Sequence, residues 1–290
     1  MASRTPPLTT LISAKDLALH VNDQDWVVLD CRHDLADPNA GRAAYAEGHI
    51  PGAQFVHLDF DLSGNKLNEI GAFCGRHPLP DRDVFVAKLR SWGINNTTQV
   101  VAYDAQGGIF AARLWWMLRW IGHTSAAVLN GGVQAWKAAG QSLATGAPAV
   151  RRGTIHEQAA LVKTVNAHDV QMNIMSKQKT LVDARSPDRF RGENETLDPV
   201  GGHIPGAINR FFKDNLQEDG CFKSPSQLHD EWAQLITDPR TSIMQCGSGV
   251  TACHNLLALE VAGMSGAALF AGSWSEWCID PRRPVATGPN

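Results

Sequence analysis

A chain of 290 residues is longer than one ordinary globular domain needs, so two domains of roughly 100–150 residues each are expected. Its 43% hydrophobic and 19% charged residues describe a folded protein rather than a disordered or fibrous one. A formal net charge of −3 and a pI near 6.4 leave no basic footprint for nucleic acid or an anionic membrane, so small molecules are the expected partners.

Met1–Thr10 holds one Arg and no apolar stretch of signal-peptide length, and no uncharged apolar run approaches the ~20 residues of a membrane span. A cytoplasmic location is the resulting expectation. The six cysteines (Cys31, Cys74, Cys221, Cys246, Cys253, Cys278) contain no C-x-x-C pair, so no zinc knuckle or thioredoxin-type dithiol is indicated and free thiols are expected. Neither a metal nor a cofactor is expected.

In chain order, Ser13 with Asp16 three residues later caps a short helix, and an apolar run over Trp26–Asp30 predicts a strand. The turn Gly48–Ala53 leads into a second strand. Gly64–Pro80, rich in Gly, Asn and Pro, reads as an insertion. A strand at Gln99–Tyr103, a turn from Asp104 to Gly108, a helix over Ala111–Ile121 and a strand at Ala126–Leu129 follow. Gly140–Gly153 loses its hydrophobic periodicity and reads as a linker, which divides the chain into domains 1–148 and 160–290 joined by 149–159. Beyond it, Asn166 with Asp169 caps a helix, Thr180–Asp183 predicts a strand, and Gly202–Ala207 forms a turn. A strand at Thr241–Gln245, a turn at Cys246–Val250, a helix over Thr251–Ala262 and a strand at Ala267–Phe270 complete the pattern.

The second half repeats the first. Val28-Leu29-Asp30-Cys31-Arg32 returns 153 residues later as Leu181-Val182-Asp183-Ala184-Arg185, and Gly48-His49-Ile50-Pro51-Gly52-Ala53 returns identically 154 residues later as Gly202–Ala207. Gly131 and Trp136 return after 141 residues as Gly272 and Trp277. Duplicated alternation of strand and helix predicts an α/β protein of two tandem domains, each a parallel sheet covered by helices on both faces. Such sheets present functional groups on the turns at the carboxyl ends of their strands.

One of those turns reads Gln245-Cys246-Gly247-Ser248-Gly249-Val250-Thr251. A thiol between a strand end and a helix N-terminus faces backbone N–H groups and the positive end of the helix dipole, which favour thiolate over thiol. The bland alternative is a buried packing cysteine. The first half argues against it, because the equivalent position is Asp104, and an unpaired carboxylate is costly in a sealed apolar core. The position is therefore expected to be polar and open. A phosphatase loop would need an anion-clamping Arg six residues after the nucleophile, where Ala252 stands. A non-catalytic sulfur-binding module with Cys246 as a relic is the remaining competitor.

The paired halves, the two Gly-His-Ile-Pro-Gly-Ala turns, the Asp-x-Arg strand ends and the loop from Cys246 to Ala252 together resemble the two-domain rhodanese family of sulfurtransferases, over nearly the whole chain. That resemblance implies a catalytically silent N-terminal domain and a Cys246 persulfide. Within the family, Cys-Gly-Ser-Gly is similar to the loop of mercaptopyruvate-using members, because thiosulfate-using members carry basic residues after the cysteine. The implied donor is 3-mercaptopyruvate, with thiosulfate as the alternative. The implied acceptor is a small thiol, a thioredoxin-like protein or cyanide. Gly247, Gly249, Val250 and Thr251 would line the sulfur, Arg189 would bind the donor carboxylate, and Arg191 is a second candidate for it. The mercaptopyruvate pattern has another arginine nine residues after Arg189, but Asp198 stands there, as in thiosulfate-using relatives. The resemblance also implies a proton relay from Ser248 through His49 to an acidic partner, for which Asp37 and Asp34 are candidates. Against it, His203 repeats His49 in the half that carries the nucleophile. The Asp30–Arg32 and Asp183–Arg185 pairs, kept in both halves, read as structural, and Cys253, two helical turns after Cys246, as buried rather than a resolving thiol.

Overall fold

The computed structural model describes residues 6–289, so the outermost residues of the two expected domains, 1–5 and 290, lie outside the described residues. Two compact units are present. The first comprises the chain up to Leu62, Asp81–Leu161 and Glu218–Cys221; the second comprises Ser63–Pro80, Val162–Gln217 and 222–289.

The first unit runs β1 (Leu11–Ile12), α1 (Ala14–Ala18), β2 (Trp26–Asp30), α2 (Ala40–Glu47), β3 (Gln54–Phe55), α3 (Leu58–Asp61), α4 (Arg82–Ser91), β4 (Gln99–Tyr103), α5 (Ile109–Trp120), β5 (Ala126–Leu129) and α6 (Gly132–Ala138). Its strands are parallel in the order β1-β5-β4-β2-β3. The second unit runs β6 (Lys163–Val165), α7 (Ala167–Ser176), β7 (Thr180–Asp183), α8 (Pro187–Arg191), β8 (Ala207–Asn209), α9 (Pro225–Ala233), β9 (Ser242–Gln245), α10 (Thr251–Val261), β10 (Ala268–Phe270) and α11 (Ser273–Trp277). Its parallel order, β6-β10-β9-β7-β8, is the same topology again, so the repeated sequence is a repeated fold.

The apolar runs become central strands because a parallel sheet is covered on both faces and has no solvent side. β4 and β9 are buried at every position. Leu17, Ile50, Val101, Tyr103 and Trp136 centre the first core, and Val170, Phe190, Ile204, Phe270 and Trp277 the second. α5 is buried along almost its whole length, Arg113 included, and Trp115, Trp116 and Trp120 are buried on it. It starts at Ile109, two residues before the expected Ala111, because Gly108 at φ +96° already turns the chain into the helix.

The repeated motifs hold turns. Arg32 forks onto Asp30 and donates to Gly48 O (2.8 Å), while Arg185 forks onto Asp183 and donates to Gly202 O (2.7 Å). Each buried pair ties the end of a central strand to the following Gly-His-Ile-Pro-Gly-Ala turn. Residues 63–80 belong to the second unit although they interrupt the first in sequence. Gly75, at φ +104°, lies so close to α11 that an added Cβ would sit 2.9 Å from Gly272 O, and Arg76 N donates to Ser275 Oγ (3.0 Å). Among the described residues no helix is long and apolar enough to cross a membrane.

Candidate active site

Cys246 follows β9 directly and is 2% exposed. The neighbouring strand end and the start of α11 fix its backbone: Cys246 N donates to Ser273 Oγ (3.1 Å), Trp274 N to Cys246 O (3.0 Å) and Ser275 N to Gly247 O (2.9 Å). Gly249 N then points back at Cys246 Sγ, 3.1 Å away. Position 249 takes no other residue without distortion, because φ is +76° and a Cβ would lie 2.3 Å from Ala271 O. Val250 is buried and caps α10, and Thr251 is that helix's first residue. The Cys253 thiol is buried and donates to Gly249 O (3.2 Å).

Three arginines stand near this loop, each paired with carboxylates. Arg185, 3% exposed, stacks over Trp274 at 4.7 Å. Burial works against its charge, but Asp183, Glu195 and Cys246 outweigh that, and its pKa is raised. Arg189 forks onto Glu195 (3.0 and 2.9 Å) and reaches Asp198 Oδ2 at 3.4 Å. Asp198 also pairs with Arg76. Arg191 lies elsewhere: its guanidinium forks onto Glu193 at the surface (3.1 and 2.7 Å).

Ser248 is buried, and its Oγ shares a 2.7 Å hydrogen bond with Nδ1 of buried His77. The histidine on Ser248 is thus His77 rather than His49. In the first unit, His49 stacks on Tyr45 (3.9 Å) with Nδ1 on Tyr45 O (2.9 Å); in the second, His203 stacks on Phe190 (3.8 Å) with Nδ1 on Phe190 O (2.8 Å). Twin histidines with twin contacts hold twin turns. Asp37 and Asp34 are exposed and accept from Asn39 N (3.0 Å) and Ala36 N (2.8 Å), as turn caps do. His77 and Arg76 were not singled out from sequence. Both sit between Phe73 and the helix cap Asp81, a stretch much longer than the one between Phe222 and the cap Ser224 in the second half, so comparison of the halves is silent there.

Asp104, the first-half equivalent of Cys246, is not open as expected but fully buried. Its Oδ1 accepts from Gln106 N and Gly108 N (2.9 Å each), and its Oδ2 from Phe110 N (2.8 Å) and Ala111 N (3.1 Å). Backbone amides, not side chains, supply the partners that allow this burial. Burial raises the carboxyl pKa even against these four donors. Nearby, His33, His57 and Asp59 cluster, but both ring nitrogens of His57 are occupied, Nδ1 by Asp59 N and Nε2 by Pro38 O.

Comparison with known proteins agrees with this architecture. The rhodanese-like domain family matches residues 13–139 and again 166–280. The chain is similar to a Pseudomonas aeruginosa protein named "Probable 3-mercaptopyruvate sulfurtransferase", 47% identical over 96% of this chain and 98% of that protein. It is also similar to the thiosulfate sulfurtransferase of Bos taurus, 35% identical over 86% of this chain and 84% of that protein. Among solved structures it is similar to 3-mercaptopyruvate sulfurtransferase from Leishmania major, with a TM-score of 0.84 and 31% identity over 98% of this chain and 78% of that one. The duplicated parallel sheets, the cysteine loop on the second of them and these full-length similarities have one reading: the chain belongs to the rhodanese family, as a two-domain sulfurtransferase.

Proposed function

We propose that the protein moves sulfur from 3-mercaptopyruvate to a nucleophilic acceptor through a persulfide on Cys246. The observation that carries this reading is the Ser248–His77 hydrogen bond two residues from a thiol that receives the Gly249 N–H. Thiosulfate can release sulfite as an anion. Mercaptopyruvate must release a carbon base, so a hydroxyl backed by an imidazole beside the sulfur fits that donor.

In the first step the Cys246 thiolate attacks the donor sulfur, an S–S bond forms and the C–S bond breaks. The electron pair of that bond leaves on the pyruvate fragment as its enolate. Ser248 Oγ protonates the enolate carbon to give pyruvate, and His77 returns a proton to Ser248. Loop N–H groups and Arg185 stabilise the anionic sulfur. In the second step an acceptor attacks the outer sulfur and regenerates the Cys246 thiolate. The acceptor is a small thiol, a thioredoxin-like protein or cyanide, and two successive covalent exchanges give ping-pong kinetics.

Asp198, in place of a second arginine, favours the alternative donor, thiosulfate, and the bovine relative bears that name. Steady-state kcat/KM with both donors decides. Preference for mercaptopyruvate is expected, with both activities lost in Cys246→Ser. A preference for thiosulfate would overturn the donor assignment.

A further inference from the structure

The missing second arginine has a replacement from a different part of the chain. Arg76 lies on the 63–80 segment, with its backbone fixed by Arg76 N donating to Ser275 Oγ (3.0 Å). Asp198, whose side chain is 3% exposed, stands between two guanidinium groups, pairing through Oδ1 with Arg76 and through Oδ2 with Arg189. A carboxylate between them lets two cations approach that would otherwise repel. Both converge on Gly247, next to Cys246: a Cβ there would lie 2.8 Å from Arg76 Nη2 and 3.6 and 3.7 Å from Arg189 Nη2 and Nη1. Their side chains are 21% and 20% exposed. Arg76 Nη2 and Arg189 Nη1 make no hydrogen bond among the described residues, although Glu195 and Asp198 engage the other faces of these groups.

We propose that Arg76 is a substrate-binding residue, which together with Arg189 grips the carboxylate of a 2-oxo acid donor, and that Asp198 is the positioning residue that aims both. This rests on the donor reading above. The arrangement explains why the loop needs no basic side chain of its own. Gly247 leaves the space above Cys246 to two arginines that reach in from elsewhere. It also reverses the significance of Asp198, which withholds no charge from the donor but holds one in place. A planar fork suits a carboxylate better than a point charge does, so lysine at 76 is a poor substitute.

The test compares wild type, Arg76→Gln and Arg76→Lys by steady-state kinetics with 3-mercaptopyruvate and by inhibition with pyruvate, which offers the same carboxylate. In Arg76→Gln, KM and the pyruvate inhibition constant should each rise about 10- to 100-fold, the loss expected of a charged hydrogen bond. The change in kcat should stay below about threefold, because Arg76 holds the substrate and moves no proton. Arg76→Lys, which keeps the charge opposite Asp198, should lie between the two. Values within twofold of wild type in Arg76→Gln would overturn the proposal. Should Arg76→Gln not fold, a wild-type KM and pyruvate inhibition in Arg76→Lys would overturn it equally. A wild-type preference for thiosulfate would remove the donor reading alone, since pyruvate inhibition reports on Arg76 whatever the donor.

Discussion

Replacing Ser248 by Ala removes one hydroxyl and tests the proton path without altering the thiol. The 2.7 Å bond to His77 is lost, and with it the route by which a proton reaches the departing enolate. A positioned general acid contributes roughly 10²–10⁴ in rate, so kcat with 3-mercaptopyruvate should fall by about 100-fold or more. Thiosulfate, whose sulfite leaves without protonation at carbon, should lose less than about threefold. The ratio of the two turnover numbers therefore moves at least about 30-fold within one variant, a change that misfolding cannot mimic because it lowers both. His77→Asn should move the ratio the same way. Since the two side chains act as one unit, the double variant should be little worse than either single one. Buried His77 also loses a partner in Ser248→Ala, which costs about 1–3 kcal/mol of stability, readable by calorimetry. Parallel losses for both donors would refute the relay and leave the Ser248–His77 bond a structural one.

Two other substitutions separate structure from chemistry. His49→Asn and His203→Asn should each lower stability by about 1–3 kcal/mol through loss of one stacked ring and one buried hydrogen bond, with the donor ratio unchanged. A loss confined to mercaptopyruvate in His49→Asn would restore that histidine to the relay. Asp104→Asn places an NH2 group against two backbone N–H donors and should cost about 2–5 kcal/mol in chemical denaturation. Because burial raises the Asp104 pKa above the usual carboxylate value, the folded protein binds a proton at a pH where the unfolded chain does not. Wild type should therefore gain stability relative to Asp104→Asn as pH falls from that raised value towards about 4, and a gap that narrows over that range would contradict the raised pKa.

The sequence shows the fold because its signals are local and doubled: Asp-x-Arg at a strand end and Gly-His-Ile-Pro-Gly-Ala at a turn each occur twice, and each does the same work twice. The proposed nucleophile is equally visible, since Cys246 occupies a strand-to-helix turn whose twin lacks it. The groups around it are not. His77 lies 171 residues from Ser248, and Arg76 lies 122 from Asp198. Both sit in a stretch that is much longer in the first half than in the second, so duplication offers no guide to them. His49 is the natural candidate because it stands in the strongest motif, but a motif kept in both copies reports what both copies need, and only one carries a cysteine on its loop. Asp104 shows the complementary gap. Side-chain chemistry alone makes a buried carboxylate improbable, whereas a tight loop can turn four amides onto it.

That cradle gives a way to test what the second loop does. A carboxylate oxygen of Asp104 lies two bonds beyond Cβ, as would the outer sulfur of a persulfide on Cys246. In the first unit four N–H groups gather on an anion at that distance. In the second, the loop between strand and helix is again five residues long, Cys246–Val250, and one N–H already reaches Sγ. If its remaining amides converge on the same place, Cys246→Asp should accommodate a carboxylate as the first unit does, at a cost within about 1–2 kcal/mol of Cys246→Ala. An unpaired charge buried there would cost about 3–5 kcal/mol instead, and at this chain length each kcal/mol lowers Tm by roughly 2–4 °C. Thermal unfolding of the two variants distinguishes the cases. A Tm for Cys246→Asp about 10 °C or more below that of Cys246→Ala would show that the loop's donors are not arranged for an anion, and the stabilisation of the persulfide would then rest on Arg185 and the donor-binding arginines alone.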